Sequence, residues 1–387
     1  MNKDFHYYGT YSAAILAGHT HEDALRIARS AFFVDLCTKP VLSSVGAPVE
    51  AATTMLAMEM ADAGSDILSQ QDVTRIWASF HFLPGDLYSK RKRCGRKYME
   101  KYHLICKPNG DLLVDTVMRV KGKGSEWTGI AMHVLADTWA HQNFAGTPSR
   151  VINDTNYHFF EVLPDGSERP VKFHSNPAAP DDLEKGVFTN SMRQSNEISI
   201  MNLGHGRAGH LPDYSCMRYK YLPAWADYEE VLKDNPHDYM QAYRQMVYAM
   251  KFLKEEGEGE TFKKDTYDTV SVDPYQDSIN EILLKRQTND EEDWKAFAES
   301  LSGQEVPDFT PADYLEEYSK APKEEKDDTP MGQFILAALS QKSMVTNRIY
   351  KSGNLLAGVT GDYSKWGTKG IRAYLKLLKA SRKGGQS

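Results

Sequence analysis

The run from Gly129 to Gly146, Gly-Ile-Ala-Met-His-Val-Leu-Ala-Asp-Thr-Trp-Ala-His-Gln-Asn-Phe-Ala-Gly, sets His133, Asp137 and His141 at four-residue intervals in an otherwise apolar stretch. Residues four apart share one face of a helix, so the three side chains form a polar stripe along a helix the core would otherwise claim. Burying that stripe is costly unless each group finds a partner, and a metal ion serves two imidazoles and a carboxylate at once. At about 1.5 Å rise per residue, positions 133 and 141 lie roughly 12 Å apart along the axis. Ligands of one zinc sit within ~2.0–2.2 Å of it, so the stripe implies a multinuclear centre, or His141 supporting a ligand.

Composition narrows the chemistry. With 46 basic and 53 acidic residues the net charge is −7, which argues against general nucleic-acid binding. No apolar run reaches the length of a membrane span. Met1-Asn-Lys-Asp-Phe-His has no secretory apolar region, so a cytoplasmic location is expected. Cys37, Cys94, Cys106 and Cys216 are scattered without a C-x-x-C pair, neither a disulfide framework nor a thiolate zinc site. Metal chemistry would run on His and Asp, which suits catalytic Zn²⁺, Mn²⁺ or Fe²⁺.

The first third reads as helical. A short helix over 8–16 closes at Gly18; Thr20 and Asp23 make a capping box for a helix running toward Asp35; Pro40 reads as its stop signal. Residues 49–63 read as a helix, 102–117 as a hairpin turning on Asn109-Gly110, 157–174 as a second hairpin around Pro164-Asp165-Gly166, and 226–254 as one long amphipathic helix. The acidic stretch 286–330 reads as a mobile surface excursion, Thr329-Pro330 as a helix start, and 367–384 as a basic amphipathic helix docked on the core. The expected division is a metal-centre helical domain over 1–225, with the helices and acidic segment of 226–387 packed on the same domain.

Further His and Asp residues recur in distinctive settings: Asp4-Phe-His6-Tyr-Tyr, Val34-Asp35, Phe80-His81-Phe-Leu-Pro84, and the glycine-rich Gly204-His205-Gly-Arg-Ala-Gly209-His210-Leu-Pro-Asp213. Glycine lets short side chains converge without steric conflict. Taken singly, His81 reads as a hydrogen-bonded core histidine, His6 as a surface residue and Asp35 as a polar helix terminus. The 204–213 loop alone is evenly balanced between structure and chemistry.

Taken together and in this order, over residues 1 to about 225, these motifs resemble those of the DUF6765 group of bacterial proteins. More distantly they are similar to the zinc-dependent phospholipase C and P1 nuclease superfamily. That resemblance implies an all-α multi-helix bundle, here with one or two small β-hairpin insertions, around a centre of two or three Zn²⁺ ions, with Mn²⁺ or Fe²⁺ as alternatives. His133-x-x-x-Asp137 matches the superfamily's helical pair, His6 and Asp35 its early ligands, and His205, His210 or Asp213 its late ones. Those enzymes begin at a Trp whose free amine binds metal, whereas this chain starts at Met1 with His6 several residues in; the late His-x-x-x-Glu is replaced by the 204–213 loop. Two metals are therefore expected.

The leading expectation is a hydrolase of a small-molecule or lipid phosphoester, in which metal ions activate water. His6, Asp35, His133 and Asp137 bind metal, with Asp137 able to bridge; His81, His141, His205 and His210 complete coordination or orient the ligands. Asp213 is a ligand or general base, and Arg207 and Arg218 are the nearest cations for a phosphoryl group. An HD-type phosphohydrolase or an iron oxygenase is a second possibility, although the sole His-Asp dipeptide, His237-Asp238, lies outside the motifs and Glu-x-x-His pairs are missing among them. A non-catalytic, metal-stabilised scaffold is a third.

Overall fold

The helix Ser125–Ala140 is buried along every face, with only Ser125 and Trp127 reaching the surface. A helix apolar all round must be enclosed by others, and His21–Phe33, Asn235–Lys254, Asp111–Val120 and Pro330–Lys351 all pack on it. Gly129 sets the closest approach: a Cβ there would lie 2.4 Å from the Ile27 carbonyl oxygen and 2.6 Å from Ser30 Cβ. Only glycine lets the two helices touch at this depth. This computed structural model describes residues 1–56, 67–90, 95–147, 149–176, 178–190, 204–255 and 259–358.

The protein is mostly helical, 53% helix against 8% strand, and its sheet structure exceeds the two expected hairpins. Strands β1 (Phe159–Val162), β2 (Glu168–Pro170), β5 (Arg218–Tyr221) and β6 (Val231–Asp234) form an antiparallel sheet in the order β2-β1-β5-β6. Phe160 is paired with Pro170 on one side and Lys220 on the other. Thus the hairpin expected over 157–174 is present as β1–β2. Strands β3 (Lys172–His174) and β4 (Val187–Thr189) form a separate parallel pair. Phe159, Phe188, Tyr219 and Tyr221 anchor a second, smaller apolar core beneath this layer. The described helices after residue 226 share the main core with the N-terminal helices, from Met1 to Ala357.

Several local expectations fail for identifiable reasons. Asn109-Gly110 does not turn a hairpin. Asn109 is left-handed (φ 60°) and Gly110 precedes the helix Asp111–Val120, whose Leu112, Leu113, Thr116, Val117 and Val120 bury one helical face; that periodicity outweighs the dipeptide. The helix expected over 226–254 starts only at Asn235, because Asp227 and Tyr228 are left-handed and 231–234 pairs as β6. Pro40 does not stop a helix. It sits in the first turn of Lys39–Ser44, capped by the Thr38 hydroxyl.

The acidic stretch 286–330 is no loose excursion either. It carries the helices Glu291–Ser302 and Pro311–Lys320, with Trp294, Phe297, Phe309 and Tyr314 buried in the core. By contrast, Thr20 and Thr329 cap the helices His21–Phe33 and Pro330–Lys351 as their sequences predict. Of the helix expected at 49–63, Val49–Ala51 forms a single 3₁₀ turn and 57–66 lies outside the described residues; the tail helix at 367–384 also lies outside them. Among the described residues no helix is long and apolar enough to cross a membrane.

Candidate metal centre

The first residues wind as a π-helix, Asp4–Gly9, running directly into the helix Thr10–Leu16. Phe5 wedges between Tyr239 and Trp294, its ring centroid 5.0 and 5.5 Å from theirs. Lys3 pairs with Glu291 at 2.6 Å, Tyr7 donates to the Pro307 carbonyl at 2.6 Å, and Tyr8 donates to Asp308. The stretch expected to be mobile thus clamps the N-terminal turn and drives His6 inward.

Asp137 occupies the middle of the centre. Its Oδ1 lies 3.1 Å from His6 Nε2 and 3.2 Å from the Met1 amino nitrogen; its Oδ2 lies 3.1 Å from His81 Nδ1 and 3.2 Å from His133 Nε2. Asp35 Oδ1 approaches the same two rings at 3.8 and 3.9 Å. On the other flank, Asp213 Oδ1 lies 3.4 Å from both His141 Nε2 and His205 Nε2, and 3.2 Å from the Met1 nitrogen. Three groups of ligand atoms result, each within 4.8 Å: His6, His133 and Asp137; Asp35, His81 and His133; His141, His205 and Asp213. His133 and His141 fall in different groups, as their axial separation requires.

The rings are held in a common manner. His81 donates from Nε2 to the Thr53 carbonyl (3.0 Å), His133 from Nδ1 to Ala31 (2.9 Å), and His141 from Nδ1 to His81 (2.8 Å). In each, an N–H bound to backbone fixes the tautomer and leaves the other nitrogen's lone pair facing the carboxylates. His6 has no such anchor, and its Nδ1 is buried without a hydrogen-bond partner. Loop 49–53 is itself secured, since the buried Lys342 ammonium donates to the carbonyls of Glu50 (2.7 Å) and Ala52 (2.5 Å).

Burial pushes His6, His133 and His141 down to about 4, so all three are neutral near pH 7. Burial acts to raise Asp137 and Asp213, but His141 and the Met1 ammonium outweigh it at Asp137, and His205 and that ammonium at Asp213; both are held well below the usual carboxylate range. The amino group, despite its burial, is raised to about 11 by Asp137, Asp213 and Asp35. Among the described residues no Lys or Arg side chain pairs with these three carboxylates, so one ammonium faces Asp137 and Asp213, with Asp35, raised by its burial, beside them. A buried centre of that charge calls for cations. Asp35, His205 and Asp213 are its outward side, 29%, 21% and 14% exposed, whereas His6, His133 and Asp137 are sealed.

Not every expected residue joins the cluster. His210 faces away, 2.9 Å from Asp181. Arg207 is buried, bound to Asp154 at 2.9 Å and stacked over Tyr157; Arg218 pairs with Asp234 in the sheet. The three carbonyl anchors were not foreseen, and the Met1 amino group, a ligand in the resembled enzymes but set aside here, lies beside Asp137 and Asp213. The anchors have no sequence signature, because any residue supplies a carbonyl.

No curated protein and no solved structure matches the chain. A family model does match, over residues 1–349, and the chain belongs to that family, DUF6765, a family of unknown function.

Proposed function

We propose that this protein is a metal-dependent hydrolase of a phosphoester, with a centre of two or three divalent ions, most simply Zn²⁺. The observation that carries the reading is the shared posture of His81, His133 and His141, each with one nitrogen tied to backbone and the other aimed at Asp137, Asp35 or Asp213. Neutral imidazoles and ionised carboxylates are the donor set that zinc, manganese and iron take. His133, whose single free nitrogen serves one ion, would join either His6 and Asp137 or Asp35 and His81; the Asp137 carboxylate, with one oxygen beside His6 and the other beside His81, would serve both positions, and His141, His205 and Asp213 suit a further ion. Bound there, such ions lower the pKa of water and neutralise phosphoryl oxygens. Substrate would approach from the side of Asp35, His205 and Asp213. The distant resemblance to phospholipase C and P1 nuclease supports the reaction class.

The donor set weighs against the HD alternative, since Asp238 is tied to the buried Lys233 and His237 is exposed. The test is elemental analysis of the purified protein, with hydrolysis of nitrophenyl phosphodiesters and phosphomonoesters before and after chelation. Turnover lost on chelation and regained on reloading is expected. A fully metallated protein inert across a broad ester panel would overturn the hydrolase in favour of a structural metal site.

A further inference from the structure

The helix His21–Phe33 carries Arg26, Arg29 and Phe33 at spacings of three and four, so the three share one face. The segment 307–314 wraps that face. Phe33 meets the Tyr314 ring at 5.3 Å, and Phe309 lies between Tyr314 (5.1 Å) and Tyr7 (6.3 Å). The two arginines fare differently. Arg26 holds the buried Glu126 bidentately, Nε to Oε1 at 3.0 Å and Nη2 to Oε2 at 3.1 Å. Among the described residues no carboxylate pairs with Arg29, and its Nε is buried without a hydrogen-bond partner. Arg244 and Arg348 also bury an unbonded Nε, but each pairs with a carboxylate, Asp273 and Asp115. Tyr314 is 5% exposed, and its hydroxyl is a second buried donor without a partner. Burial and Glu126 push its phenol up while Arg29 and Arg26 act against them, so both guanidinium groups lie within its field. Arg29 acts in the same way on Tyr7, whose hydroxyl already donates to the Pro307 carbonyl.

A guanidinium without a counter-ion and an unpaired phenol beside it are both costly to bury. One oxyanion removes both costs, because each group has a proton to give. We propose that Arg29 and Tyr314 form a binding site for a small oxyanion, a carboxylate or a phosphate, built from no residue of the metal centre and independent of the hydrolase reading. The guanidinium supplies the charge and a planar pair of donors, and the Tyr314 hydroxyl donates from the interior side. Arg29 is itself partly exposed, which leaves the site open to solvent. Chloride, with no pair of oxygens to meet the fork, fits it poorly.

The test titrates the purified protein with inorganic phosphate, and separately with acetate, in chloride buffer of constant ionic strength, and follows the melting temperature. Wild type should gain about 2–4 °C near saturation with at least one of the two, by ligand linkage, and the tighter binder identifies the oxyanion. The gain should survive chelation, which separates this site from phosphate held by metal. Arg29→Met should lose the gain, and Tyr314→Phe should weaken binding by ~10-fold, the worth of a hydrogen bond to a charged group. In chloride alone Tyr314→Phe should melt at or above wild type, because it deletes an unpaired donor, so the test stays readable even if Arg29→Met folds poorly. No gain in wild type with either anion, a gain abolished by chelation, a gain unchanged in both variants, or a Tyr314→Phe that melts well below wild type in chloride would overturn the site.

Discussion

The centre has two sides built on opposite plans. The inner side, His6, His133 and Asp137, sits on helices sealed in the main core, its helical ring locked by a backbone carbonyl. The outer side, Asp35, His205 and Asp213, lies at a helix end and on a glycine-rich loop, partly open to solvent. Rigid helices fix ligand positions closely, while loops admit access and variation. On the proposed function, the inner side would retain metal and the outer side would meet substrate.

The largest expected effect tests the inner side. Asp137→Asn removes the charge that the Met1 amino group, His6, His81, His133 and His141 face, and breaking such a buried arrangement typically costs ~3–5 kcal/mol. The variant should purify without metal and melt far below wild type; retention of both metal and stability would dissolve the distinction between the sides. Next, His133→Ala removes a ring shared by two ligand groups, and His141→Ala a ring from one. Elemental analysis should find the greater loss in His133→Ala, and equal, complete loss in both would erase the ranking.

A third measurement is denaturation of the metal-free protein against pH. His6, His133 and His141 sit at about 4 when folded and near 6.5 when unfolded, so the unfolded chain binds more protons between those values. Their contribution is present above 6.5 and lost as pH falls through 4. Asp4, raised to about 7 by burial and by Asp290, acts oppositely: its contribution, full below 3.8, is lost as pH rises through 7. Stability should therefore fall on acidification from 6.5 toward 4, and a flat profile there would mean that the inner rings are not sealed. The smallest effect concerns support. Lys342→Met frees the carbonyls before Thr53 and should weaken metal affinity by ~10-fold, as loss of such outer contacts does; unchanged affinity in a metal titration would show that the His81 anchor needs no such brace.

What the sequence revealed follows the same division. The His133–Asp137–His141 stripe was legible because helical spacing is periodic and a polar stripe in an apolar run has few uses. The capped helices beginning after Thr20 and Thr329 were legible from their side chains. The 204–213 loop was only half legible: its residue types marked chemistry, but which way each points depends on Gly209 and on pairing with residues 181–189. His205 and His210, five residues apart, accordingly face different carboxylates, Asp213 and Asp181. The acidic stretch 286–330 misled because its charges are many and its few anchors, Trp294, Phe297 and Phe309, are spread thinly among them.

The clamp on the N-terminal turn also sets an order of assembly. Tyr7 and Tyr8 are secured by Pro307 and Asp308, 300 residues later in the chain, and Lys3 by Glu291. During synthesis His6 leaves the ribosome long before these three partners exist, while the His133 helix and its neighbours His21–Phe33 and Asp111–Val120 are already available to pack. Contacts so distant in sequence are slow to form. The turn that carries His6 therefore gains its full set of contacts only in the finished chain, and a nascent chain stopped before residue 290 should carry the helical His and Asp residues without a secured N-terminal partner.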